Sequence, residues 1–274
     1  MKRDVFIWKR MSEHYDETKA LGKEVFAIAL QGSQNYKLDI YTDEYKSDVD
    51  TKAIILPSFD DFCCGASPIS HTHERENKEH IDLKDIRVIF ETFKKQNVNF
   101  VEILFSDFFI VPEKYSKYWR QLQDLAEDLV HCHPSQTLKT MAGLSGEKKK
   151  ALCHPYPTIK YKIDKWGYDG KQLHHIIRIN EFMKNYIKGM SFKQCLTERR
   201  PQTYIDMMLA KLNRFSLEEA VEMANRLDEE NIKMKNDYIE KYGQECDGAP
   251  YEKLKEIKTN VLKQWFKEQL CIKN

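Results

Sequence analysis

Residues 47–56, SDVDTKAIIL, set two aspartates, Asp48 and Asp50, at the leading end of an apolar run of strand length that Pro57 stops. Residues two apart on a strand point to the same face. Like charges at that range repel, and burial sharpens the repulsion, so something positive is expected between them. The run before it, EVFAIAL (24–30), also has strand length and leads through Gln31 into Gly32 and Ser33. Glycine lets the backbone turn sharply and come close to a ligand. A helix or turn starting at Ser33 would offer free N–H groups and a hydroxyl to a phosphate.

Paired carboxylates of this kind suit Mg²⁺, a hard cation that takes one or two carboxylates together with substrate phosphates. A third carboxylate is expected on a neighbouring strand. Asp82 interrupts the apolar pair Ile81 and Leu83 and is the natural candidate. Asp85 fits less well, because it reads as part of the first turn of the helix that follows.

The first ~110 residues mix strand and helix signals. HIDLKDIRVIFETFKKQ starts extended and turns helical, with Ile86, Ile89, Phe90 and Phe93 at helical spacing. FFIV (108–111) is a last apolar run before Pro112, and CCGASPISHTHERENKEH (63–80) reads as a long polar loop. Beyond that the chain is helical. EKYSKYWRQLQDLAEDLV is amphipathic, GKQLHHIIRINEFMKNYIKG is a helix closed by Gly189, Ser216 and Glu219 form a capping box, and a basic amphipathic helix ends the sequence. The division falls near 112–120: an α/β part over 1–112 and a helical part over 113–274.

Lysine and arginine number 44 against 43 aspartate and glutamate, so no global basic field points to nucleic acid. Seven cysteines, odd in number, scattered and without a Cys-x-x-Cys pair, read as reduced thiols of a cytoplasmic protein. The first residues lack the apolar core of a signal peptide, and no stretch approaches 18 uninterrupted apolar residues, so no membrane partner is expected. The groups His71, His73 and His80 with Cys63 and Cys64, and His131, Cys132 and His133 with Cys153 and His154, lack the spacing of a zinc finger and read as polar loop or helix ends. In GYDGKQLHHIIR, Lys171, His174 or His175, and Arg178 are three or four apart and share a helix face.

Gly32-Ser33, a gap, Asp48-x-Asp50 and a later Asp82 resemble the signature of the DNA polymerase β-like nucleotidyltransferase superfamily. GSQNY…SDVDTKAIILPS, DLKDIRVIFETFKKQNVNFVEILFS and KWGYDGKQLHHIIRI follow the layout of its bacterial and phage branch of predicted nucleotidyltransferases, which includes RNA-repair-ligase-associated proteins. The resemblance spans roughly residues 24–190. Two departures stand out: many members have a glycine soon after the tyrosine, whereas here Lys37 follows Tyr36, and the gap from Ser33 to Asp48 is a few residues longer than usual.

The resemblance implies an α+β protein, a polymerase β-like core of a small mixed sheet with helices followed by an all-helical C-terminal domain that closes the nucleotide cleft. It implies transfer of a nucleotide from a nucleoside triphosphate such as ATP to a hydroxyl, with release of pyrophosphate, through two Mg²⁺ or Mn²⁺ ions. Asp48, Asp50 and Asp82 would be the catalytic metal ligands. Gly32, Ser33, Lys171, His175 and Arg178 would bind the nucleotide. The acceptor stays open among RNA, a protein and a small molecule. Basic clusters at KRDVFIWKR, GEKKKA (146–151) and Lys160, Lys162 and Lys165, beside Tyr156, Tyr161 and Trp166, are where RNA would bind. The alternative is a non-catalytic nucleotide- or RNA-binding regulatory module on the same fold.

Overall fold

The computed structural model describes residues 3–42 and 47–272. Lys2 of the first basic cluster and residues 43–46, where the long gap lies, fall outside them. In chain order the strands are β1 (Glu24–Gln31), β2 (Asp50–Leu56), β3 (Ser70–Glu74), β4 (His80–Asp85) and β5 (Phe109–Ile110). The helices are α1 (Arg3–Ala20), α2 (Phe59–Cys63), α3 (Ile86–Lys94), α4 (Val98–Val101), α5 (Ser116–His131), α6 (Pro134–Ala151), α7 (Lys160–Trp166), α8 (Gly170–Ile187), α9 (Phe192–Thr197), α10 (Pro201–Lys211), α11 (Leu217–Tyr242) and α12 (Ala249–Ile272).

The chain divides into two compact units, one of residues 1–132 with 247–274 and one of residues 133–246. The division therefore lies beyond the break expected near residue 112, and α5 and α12 belong with the sheet. The reason is aromatic packing. Trp119 of α5 meets Phe26 of β1 and Phe109 of β5, and Phe266 of α12 meets Phe59 and Phe62 around α2.

The sheet of the first unit has the order β3-β4-β2-β1-β5 and is mixed: β2 and β4 are parallel, the other pairs antiparallel. One face carries Ile28, Leu30, Ala53, Ile55, Ile81 and Leu83, all buried beneath α1 residues such as Ile7, Met11 and Tyr15. The other face begins with Asp50, Lys52 and Ile54 on β2 and Asp82 and Lys84 on β4, the alternate residues of the same strands.

Two elements escape the sequence reading. The segment 63–80 is not all loop, because β3 pairs with β4 along its length although its side chains are largely exposed. The initial segment is a helix whose buried positions, Ile7, Met11, His14 and Thr18, keep helical spacing but are only half apolar.

His14 is buried and bridges Thr51 Oγ1 on β2 (2.9 Å) and the Glu79 carboxylate (3.0 Å). Burial alone would raise the Glu79 carboxyl. Hydrogen bonds from His14, Arg10 and Asn77, with the charge of Arg10, outweigh it and hold the pKa at about 2, against an ordinary 4.5. A depressed carboxyl contributes stability above its unfolded value and loses it as pH falls through its folded value. The urea midpoint is therefore expected to fall between pH 4.5 and about 2, and Glu79→Gln should flatten that part of the profile. An unchanged acid profile in the variant would assign the acid sensitivity to other groups.

The second unit is built around α8, which packs against α6, α9, α10 and α11. A buried polar ladder crosses it: Asn180 donates to Asn231 (3.0 Å), Asn231 to Ser145 (3.0 Å), and Ser145 to Asp228 (2.8 Å). Gly189 follows α8 with φ +78°, the left-handed geometry that ends the helix.

Candidate active site

β1 ends at Gln31, opposite Asp50, the first residue of β2. That antiparallel register places Gly32-Ser33 at the same end of the sheet as Asp50. Gly32 turns the chain with φ +77° into a short 3₁₀ turn, Gly32–Gln34. Its N–H points to the buried Glu102 carboxylate at 3.4 Å, so this donor is already engaged. Asn35 Nδ2 donates to the carbonyl of Glu102 at 3.3 Å, a second link between the turn and that residue. Sequence reading missed Glu102; its only signal is an acidic residue inside the apolar run NFVEILF.

The loop after the turn is held from two sides. Arg3 of α1 makes two hydrogen bonds to Asp39 (2.9 and 3.1 Å) and one to the Gln34 carbonyl (2.7 Å). Ser47 and Ile40 exchange hydrogen bonds of 2.9 and 2.8 Å. Lys37 sits at φ 57°. A glycine adopts this conformation without cost and a lysine does not.

Asp48 is exposed and precedes β2, so it does not share a strand face with Asp50 as the sequence suggested. Strand pairing begins only where Gln31 meets Asp50. Asp50 is half-buried. Its Oδ1 accepts the His80 backbone N–H at 2.9 Å and lies 3.3 Å from His80 Nδ1.

Asp82 lies deeper on the same face, in register with Lys52. The Lys52 ammonium bonds Asp82 Oδ2, and the Lys84 ammonium bonds Oδ1 at 2.9 Å. Thr72 Oγ1 is 3.4 Å from Oδ1. Burial works to raise the Asp82 carboxyl, but the two lysines outweigh it and hold it below the ordinary range. A cation thus stands in the strand itself, two residues after Asp50, but its partner is Asp82 rather than the pair Asp48 and Asp50 for which the sequence led one to expect it. Asp85 points to the other face and caps α3: it accepts the Arg87 N–H at 2.8 Å and pairs with the Arg87 guanidinium. Among the described residues no three histidine, cysteine, aspartate or glutamate side chains come together as a metal site.

In the second unit, α8 presents Lys171, His175 and Arg178. Asp169, buried and paired with Lys162 (2.9 Å), caps the helix by accepting the Lys171 N–H at 3.2 Å. His174 turns to the core, where Nδ1 meets the Met207 carbonyl at 3.0 Å and burial lowers its pKa to about 3. His175 is the histidine that stands among cations. Burial, then the charges of Arg178, Lys171 and Lys148, push its pKa well below the ordinary imidazole value, and its Nδ1 is buried without a hydrogen-bond partner. Burial and the surrounding cations thus both favour its uncharged ring on this face. Lys148 of α6 and Arg199 extend the positive face: each has its pKa lowered by burial first, and then by neighbouring cations, Lys171 and Arg178 for Lys148 and Arg178 for Arg199. Neither was legible as a neighbour of α8 in the sequence.

No protein family matches the chain, and no curated protein matches it. Among solved structures it is similar to a nucleotidyltransferase-like protein from Exiguobacterium sibiricum 255-15, at 13% identity over 93% of this chain and 89% of that one, with a TM-score of 0.28. A likeness that distant carries no argument. No helix among the described residues is long and apolar enough to cross a membrane.

Proposed function

We propose that the first unit is a polymerase β-like nucleotidyltransferase core, which moves a nucleotide from a nucleoside triphosphate to a hydroxyl acceptor. The observation that carries this reading is the register that sets the Gly32-Ser33 turn beside Asp50, with Asp82 on the same sheet face. The acceptor hydroxyl oxygen attacks the α-phosphorus and gives up its proton to solvent, the bond to the β-bridging oxygen breaks, and pyrophosphate leaves with the electron pair. Positioning and charge neutralisation do most of the work in such a transfer.

Asp48 and Asp50, one exposed and one half-buried, fit a divalent ion such as Mg²⁺ or Mn²⁺, which takes carboxylate oxygens and phosphate oxygens together. When bound, the ion would supply positive charge to the reacting phosphate. Ser33 would orient the phosphate chain, and Glu102 would hold the turn that carries it. The cationic face of the second unit, Lys171 and Arg178 with Lys148, has the charge to bind phosphates.

Three lysines of the basic clusters are already paired, Lys149 with Asp228, Lys160 with Asp164 and Lys162 with Asp169. These pairs reduce the charge that the clusters offer to RNA, and the acceptor stays open among RNA, a protein and a small molecule.

Incubation with each α-labelled nucleoside triphosphate, Mg²⁺ or Mn²⁺, and pools of RNA, protein and small-molecule acceptors tests the reading. Covalent label with stoichiometric pyrophosphate is the expected result. The lysine pairs on Asp82 also suit a non-catalytic nucleotide-binding module. Tight triphosphate binding with no transfer to any pool would establish that second reading instead.

A further inference from the structure

Lys52 is 3% exposed, yet it stands on the face that carries the carboxylates. Its backbone is in register with Asp82, and its ammonium bonds Asp82 Oδ2 while lying 4.1 Å from the centre of the Phe100 ring. The second oxygen of Asp82 is taken by Lys84, itself held by Ser70 Oγ at 2.9 Å. Both oxygens of this carboxylate therefore meet a lysine nitrogen. Burial pulls the pKa of Lys52 below its ordinary value against the opposing pull of Asp82; as ammonium groups, the two lysines leave the cluster with Asp82 net positive. A divalent ion bonded to Asp82 would sit within a few ångströms of a buried like charge, where repulsion is poorly screened.

We propose that Lys52 is a built-in cation occupying the place on Asp82 that a second divalent ion would take, so that this end of the sheet binds one divalent ion, at Asp50 with Asp48 from the segment before the strand, and not two. Asp82 is then a positioning residue for the Lys52 ammonium. The sequence supplies the cation in the strand itself: Asp50 and Lys52 are alternate residues of β2 and project to the same side. A lysine serves here because it is a compact point charge, and the face of Phe100 together with Asp82 fixes its position. The inference rests on the nucleotidyl-transfer reading, since it concerns the metal content of that site.

The test is a Mn²⁺ titration of the full chain, followed by the resonance of free Mn²⁺, with a non-hydrolysable nucleoside triphosphate analogue present. Wild type is expected to bind one Mn²⁺ per chain above the amount the analogue binds alone. Asp82→Asn should change that affinity by less than about threefold, whereas Asp50→Asn should weaken it at least about tenfold. Lys52→Met, which frees Asp82 Oδ2, should admit a second Mn²⁺. Lys52→Arg should keep the count at one, and it serves if the methionine variant does not fold.

Two Mn²⁺ ions on wild type, falling to one in Asp82→Asn, would overturn the Lys52 assignment while leaving the transfer reading in place. A Mn²⁺ affinity unchanged in Asp50→Asn would overturn the transfer reading, and the inference with it.

Discussion

Asp50→Asn is expected to lower nucleotidyl transfer by about 10³-fold, the scale lost when one preorganised electrostatic partner of a transition state is removed. The substitution is chosen to spare the fold. Asp50 Oδ1 accepts the His80 backbone N–H at 2.9 Å, which ties the start of β2 to the start of β4, and an asparagine carbonyl oxygen can accept the same bond. What is lost is the negative charge. Melting temperature should therefore stay close to wild type while turnover collapses, and added Mn²⁺ should not restore it. Asp48→Ala removes the exposed partner and should cost a similar factor with still less effect on stability, because Asp48 lies outside the strand. Transfer by Asp50→Asn within a few-fold of wild type would mean that this end of the sheet does not carry the chemistry.

Much of this end of the molecule was legible in advance. Apolar runs of strand length that stop at Gly32 and at Pro57 mark β1 and β2, and the spacing of Ile86, Ile89, Phe90 and Phe93 marks α3, because burial imposes a period on sequence. What was not legible depends on partners distant in the chain. Whether Asp82 or Asp85 shares a face with Asp50 follows from the parallel register of β2 with β4, in which Ile55, not Ile54, stands opposite Asp85. Lys52 reads in sequence as an interruption of an apolar run; only that register shows it meeting Asp82. The same holds for Lys148, which the sequence places in a lysine triplet and the fold places beside α8. His14 and Thr18 hid α1, since polar residues that are buried through hydrogen bonds leave no hydrophobic pattern.

Gly170→Ala is expected to destabilise the second unit by about 3 kcal/mol or more, at the upper end of what overpacking costs. A methyl group at Gly170 would lie 1.9 Å from the Ala210 carbonyl oxygen and 2.7 Å from Asn213 Oδ1. The first contact is with the backbone of α10, so no side-chain rotation relieves it; α8 and α10 would have to separate. The second is with the group that accepts the Gly170 N–H at 2.8 Å, so relief there breaks a hydrogen bond as well. Alanine gains up to about 1 kcal/mol over glycine in helix propensity, too little to offset the clash. Backbone conformation does not require glycine here, since its φ is not in the left-handed region; the close approach of two helices is what demands it. Separation would also shift the helix start that carries Lys171 and the Asp169 cap. Urea unfolding followed by far-ultraviolet circular dichroism should show a lower midpoint for the variant, and triphosphate affinity should fall with it if Lys171 and Arg178 bind phosphate. A variant as stable as wild type would show that α8 and α10 do not approach this closely.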